Sequence, residues 1–95
     1  MSRGTVVVVD DERVIRRALA SRLEEAGFTV VACEGVTEAR AALAGRVDSM
    51  LVDIRLKDGD GLALLEEVRR TRPALPVIMA TAYGDSERAI RAMRL

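Results

Sequence analysis

Three aspartates stand where strand patterns stop. Asp10 and Asp11 follow the apolar run Thr5-Val6-Val7-Val8-Val9, and Asp53 follows Met50-Leu51-Val52. A charge at the end of a buried strand costs free energy unless something pairs with it, so each position asks for a chemical reason. Gathered into one pocket, the three carboxylates would raise one another's pKa values unless a cation intervened. Mg²⁺ suits such a set, because it takes hard oxygen ligands, keeps several waters, and binds through one or two carboxylates plus a phosphate. An aspartate can also act as a nucleophile and carry a phosphoryl group as an aspartyl-phosphate. The ion would then neutralise charge on the group in transfer. Thr81, after the run Val77 to Ala80, can donate a hydrogen bond to a phosphoryl oxygen.

Taken singly, the same residues have plainer uses. Asp10-Asp11-Glu12 suits the first turn of a helix, where acids complement the dipole. Asp53 before a glycine-rich loop suits a turn, and Asp58 and Asp60 read as turn and cap residues. The latter two lack the full spacing of a calcium-binding EF-hand loop. Thr81 alone is a strand-end hydroxyl satisfied by backbone, and Cys33 is a small, partly buried residue. The signal lies in the combination.

The surrounding pattern says how these groups could meet. Thr5 to Val9 is a β-branched run of the kind covered on both faces of a sheet. From Arg13 the period changes, with Ile15, Leu19 and Leu23 recurring along an amphipathic helix that Gly27 closes. Phe28 to Ala32 reads as a second strand, and Val36 to Ala44 as a short alanine-rich helix stopped by Gly45. Ser49 to Asp53 reads as a third strand, and Lys57 to Gly61 as a loop. Gly61 to Arg72 reads as a helix with Leu62, Leu65 and Val68 inward, ended by Pro73. Val77 to Ala80 is a fourth strand opened by Pro76. Thr81 to Gly84 is a loop, and Asp85 or Ser86 caps a last helix carrying Ile90 and Met93. The alternation of strand and helix predicts an α/β fold, a doubly wound parallel sheet with helices on both faces. In such sheets ligands sit outside the carboxyl ends of the strands, where Asp10, Asp11, Asp53 and Thr81 fall.

Composition narrows the classes. Ninety-five residues make one small domain. Fifteen basic residues balance fifteen acidic ones, so no charge footprint for direct nucleic-acid binding exists. A single cysteine permits no internal disulfide and fits a reduced, cytoplasmic setting. No signal peptide is visible, and no run approaches the length of a membrane span.

These motifs, in this order, resemble the receiver domain of two-component response regulators, a flavodoxin-like fold with sheet order 2-1-3-4. The matching pieces are Val6-Val7-Val8-Val9-Asp10-Asp11-Glu12, Leu51-Val52-Asp53-Ile54-Arg55-Leu56, Asp60-Gly61-Leu62 and Pro76-Val77-Ile78-Met79-Ala80-Thr81-Ala82. The resemblance implies Mg²⁺-dependent transfer of a phosphoryl group from the phosphohistidine of a sensor histidine kinase onto Asp53. It implies Asp11 as a direct metal ligand, Asp10 as a more distant one, and the main-chain carbonyl of Arg55 completing the site. It makes Thr81 the hydroxyl that moves onto the phosphoryl group as the domain switches. The domain would act as a phosphoacceptor and not as an enzyme on a separate substrate. Lys57 departs from the family pattern, which often has proline there. The segment from Gly84 to Met93 resembles receivers of enhancer-binding transcriptional activators, which implies an output domain of DNA-binding or ATPase type.

Other classes fit less well. A phosphohydrolase resembling the haloacid dehalogenase family would carry a second Asp two residues after the nucleophile, and Arg55 stands there. A flavin- or nucleotide-binding domain would need a phosphate loop after the first strand, where Asp10-Asp11-Glu12 repels phosphate. A pseudo-receiver acting only through protein contact is the nearer rival. The family's fifth strand and helix, with its fifth-strand lysine and aromatic switch residue, are absent from these residues, and Lys57, the only lysine, starts from the wrong place to replace that lysine. The expectations that follow are that residues 1–95 form an incomplete receiver domain that binds Mg²⁺ while phosphotransfer is slowed. Strand Val77 to Ala80 would lie at a sheet edge, leaving the chain either marginally stable or paired with another chain, as a homodimer or strand-swapped oligomer. A light-scattering mass of one chain, with a cooperative melt at high temperature, would refute both.

Overall fold

The computed structural model describes residues 2–53, 55–56 and 59–80. Its elements, in chain order, are β1 (Thr5–Val9), α1 (Arg13–Glu25), β2 (Thr29–Cys33), α2 (Val36–Ala42), β3 (Ser49–Asp53), β4 (Arg55–Leu56), β5 (Gly59–Asp60), α3 (Gly61–Thr71) and β6 (Val77–Ala80). Four strands form one parallel sheet in the order β2-β1-β3-β6. Counting only the strands of that sheet, this is the expected order 2-1-3-4. Each parallel step needs a crossover, and a helix lies in each one.

Side chains alternate across a strand, so the valines of β1 serve two layers. Val7 and Val9 join the main core with Val36 and Ala39 of α2, Met50 and Val52 of β3, Leu64, Leu65 and Val68 of α3, and Val77 and Met79 of β6. Val6 and Val8 are buried on the opposite face, where α1 packs on β1 and β2. All four valines are at most 5% exposed. Burying each one contributes about 1.5–3 kcal/mol. The two faces are not equally dry. Helix α1 has no buried residue; its stripe of Ile15, Leu19 and Leu23 is half-buried, and Ile78 of β6 is 56% exposed.

Local chemistry sets the boundaries. Helix α1 ends in a Schellman motif: Phe28 N–H donates to the Leu23 carbonyl at 3.0 Å and Gly27 N–H to that of Glu24 at 3.0 Å. Gly27 adopts φ +100° there, a conformation only glycine takes without strain. Because the Phe28 amide serves the helix, β2 begins one residue later than the sequence suggests, with Thr29 N–H donating to the Gly4 carbonyl at 2.9 Å. It also runs one residue further, to Cys33. Helix α2 is shorter than expected: Ala44 and Gly45 bond three residues back, to Ala41 and Ala42, and the Arg72 guanidinium takes the Leu43 carbonyl.

Gly59 and Asp60, read as part of a loop, instead pair with the residues just after the third strand in a small antiparallel ladder, with Arg55 opposite Asp60 and Leu56 opposite Gly59. Two-residue strands are too short to show a period. Burial of Leu56 in the main core is the force that folds this stretch back. Asp60, the last residue of β5, falls directly before α3. Lys57, Asp58, Thr81, the loop to Gly84 and the last helix with Ile90 and Met93 lie outside the described residues. No helix among the described residues is long and apolar enough to cross a membrane.

The unequal faces predict unequal mutational costs. Leu64→Ala, at a position 1% exposed, should lower unfolding free energy by about 2–5 kcal/mol. Ile78→Thr, which keeps the β-branch on an exposed position, should change it by about 0.5 kcal/mol. Urea titrations of both variants check the contrast, and equal losses would contradict this assignment of the core.

Candidate metal centre

The register of β1 and β3 builds the site. Val9 pairs with Val52, so the next residues, Asp10 and Asp53, leave neighbouring strands at the same level. Adjacent strands lie about 4.8 Å apart, which brings the two side chains together without a loop to carry them. The other end of this pair is pinned by Asp48: its carboxylate accepts from Thr5 N–H at 2.7 Å and its own N–H donates to the Thr5 carbonyl at 2.8 Å.

Asp10, Asp11 and Asp53 converge at the carboxyl rim, each offering a carboxylate oxygen within 4.8 Å of the other two. Asp10 is 5% exposed; Asp11 and Asp53 are half-buried. At an effective dielectric of about 20, two ionised carboxylates at that spacing repel by on the order of 3 kcal/mol. Asp10 registers the conflict. Burial pushes its carboxyl pKa above the usual carboxylate value, the Glu12 N–H bonded to Oδ1 at 2.9 Å opposes this, and the charges of Asp53, Asp11 and Glu12 push it up further. An all-oxygen, anionic, partly desolvated donor set of this kind fits a hard divalent cation.

Neighbouring groups fix the turn that carries Asp10. Its N–H donates to the Cys33 carbonyl at 3.0 Å, and its carbonyl accepts from Arg16 Nη1 at 2.9 Å. The sequence reading passed over Arg16. Its only sequence signal is a position one helical turn past Glu12. Cys33 itself is buried, and its thiol is pushed up to about 11 by burial and Glu38, against the lowering effect of Arg16; it is inert at neutral pH. Arg55 follows Asp53 by two residues, at the start of β4. A cavity of about 250 Å³, lined by Ser2, Arg3, Thr5, Thr29, Arg46 and Asp48, opens at the other ends of the strands and shares no residue with the acidic cluster.

The profile of the response regulator receiver domain family matches residues 6–95. The chain belongs to that family. Among its relatives, the DNA-binding transcriptional regulator NtrC of Salmonella typhimurium is 45% identical over 93 residues, which are 97% of this chain and 20% of that protein. The C4-dicarboxylate transport transcriptional regulatory protein DctD of Rhizobium meliloti is 38% identical over 91 residues, 95% of this chain and again 20% of the relative. This receiver domain thus spans one fifth of the length of the curated relatives it matches. Among solved structures, NtrX from Brucella abortus in complex with ADP superposes with a TM-score of 0.90 at 36% identity, over 99% of this chain and 22% of that one. The response regulator protein TrrA from Thermotoga maritima in complex with Mg²⁺-BeF does so with a TM-score of 0.84 at 30% identity, over 97% and 81%.

The raised pKa of Asp10 gives the receiver domain a pH dependence of known sign. The folded state holds this proton more tightly than the unfolded chain does, so stability falls as pH rises from the unfolded value through the raised folded one. Above that window the metal-free domain carries the full penalty. Asp10→Asn keeps the oxygen that accepts from Glu12 and removes the charge. In EDTA at pH 7 its melting temperature should exceed the wild type's, and the gap should close as the pH falls toward 4. A lower melting temperature at pH 7 would count against the conflict of charges described.

Proposed function

We propose that Asp53 is the phosphoacceptor of a two-component signalling module, charged by a sensor histidine kinase. The observation that carries the reading is the convergence of the Asp10, Asp11 and Asp53 oxygens within 4.8 Å at the carboxyl rim of a parallel sheet. An Asp53 oxygen attacks the phosphorus, the P–N bond to the kinase imidazole breaks, and its electron pair returns to the ring nitrogen. Water later cleaves the acyl phosphate and restores the carboxylate. Asp10, Asp11, Asp53 and the main-chain carbonyl of Arg55 would hold Mg²⁺. When bound, that ion supplies positive charge against the phosphoryl oxygens.

In this reading the chain's own residues do the positioning. Asp53 leaves the end of a central strand and presents its oxygen at a fixed point of the rim. Burial of Asp10 keeps water from one side. Thr81, directly after β6, is the hydroxyl that bonds the phosphoryl group and biases the segment following it toward a second conformation. The domain turns over no separate substrate, because the group it accepts stays on it until hydrolysis. The NtrC and DctD relatives are transcriptional regulators five times longer than the aligned stretch. By that likeness, residues 1–95 are the receiver domain of a cytoplasmic regulator whose output domain, of DNA-binding or ATPase type, acts on transcription.

Incubation with acetyl phosphate and Mg²⁺, followed by intact mass, tests the assignment. One phosphoryl group should appear on the wild type, be absent from Asp53→Ala, and be absent from the wild type in EDTA. Labelling that persists in Asp53→Ala would place the acceptor elsewhere. No labelling of the wild type, with Mg²⁺ still bound, would favour a pseudo-receiver that works through protein contact.

A further inference from the structure

Asp10 precedes α1, so no main-chain N–H of that helix turns back to its carbonyl. The first main-chain bond into the helix runs from Arg16 N–H to the Glu12 carbonyl, at 2.9 Å. The Asp10 carbonyl accepts instead from the guanidinium of the same Arg16, at 2.9 Å. Asp10 is thereby held at three points: its N–H by Cys33 of β2, its carboxylate by Glu12 N–H, and its carbonyl by Arg16. The peptide plane between Asp10 and Asp11 is rigid, so the bond to its carbonyl also orients the residue from which the Asp11 carboxylate projects.

We propose that Arg16 is a positioning residue for the acidic site, locking the Asp10–Asp11 peptide so that both carboxylates meet Asp53 around a divalent cation. The inference rests on the cation-binding reading above. Arg16 Nη1 bonds the main-chain carbonyl of Asp10, whereas the Asp10 carboxylate takes its hydrogen bond from Glu12 N–H. In this proposal Arg16 acts through that hydrogen bond to main chain, not through its charge on the ligands.

The sign of one measurement separates the two. Removing a positive charge near a cation site by electrostatics alone tightens cation binding; removing a positioning bond loosens it. Mg²⁺ titrations by calorimetry should be run on the full chain as wild type, Arg16→Met, Arg16→Lys and Arg17→Met, each with a metal-free melt to establish folding. Arg16→Met should raise the Mg²⁺ dissociation constant about tenfold, the loss usual for a group that orients metal ligands. Arg16→Lys, which keeps a donor, should recover most of the affinity. Arg17→Met removes the same charge from an exposed neighbour and should leave binding unchanged or slightly tighter. Unchanged or tighter binding by Arg16→Met overturns the proposal, as does equal loss in Arg16→Lys or in Arg17→Met. If Arg16→Met does not fold, Arg16→Leu takes its place with the same expected weakening. A wild type that binds no Mg²⁺ overturns the cation-binding reading itself, and is seen before any variant is compared.

Discussion

The parallel pairing of β1 with β3 is the constraint from which the rest follows. It sets Val9 beside Val52 and therefore delivers Asp10 and Asp53 to one rim at adjacent strand ends. A slip of one residue would turn the side chains of one strand to the other face. A slip of β3 would turn Met50 and Val52 out of the main core and separate the carboxylates in a single step. Core and site are thus specified by the same register, with Asp48 bonding to Thr5 at the opposite end to hold it.

The site carries a cost that the core must offset. Three carboxylates within 4.8 Å, one of them buried, oppose folding while no cation is bound. The chain answers with hydrogen bonds around Asp10: main chain from Glu12, main chain of Cys33, and the guanidinium of Arg16 turned to the carbonyl. That arrangement satisfies the buried polar groups of Asp10.

Much of this was legible in the residues. The valine run, the Gly27 stop, the Ser49–Asp53 strand and the Pro76 entry to the last described strand each have a local cause, so their elements appear where the pattern puts them. The start of β2 was misplaced by one residue because the Phe28 amide is taken by a helix cap, which strand periodicity cannot register. The β4–β5 ladder was missed because its cause is burial of Leu56 against residues distant in sequence. Arg16 was invisible for a similar reason. A helix-surface arginine looks like any other until the fold places a buried carbonyl within its reach.

The sequence by itself determined the alternation of strands and helices, the polar residues at strand ends and the family they resemble, because these rest on local propensity and on spacing along the chain. Only the tertiary structure decided that the three carboxylates share one point. It also decided that one face of the sheet is drier than the other, and that Arg16 serves the turn below it. Those facts depend on distances between segments that are far apart along the chain, and such distances exist only once the strands have paired.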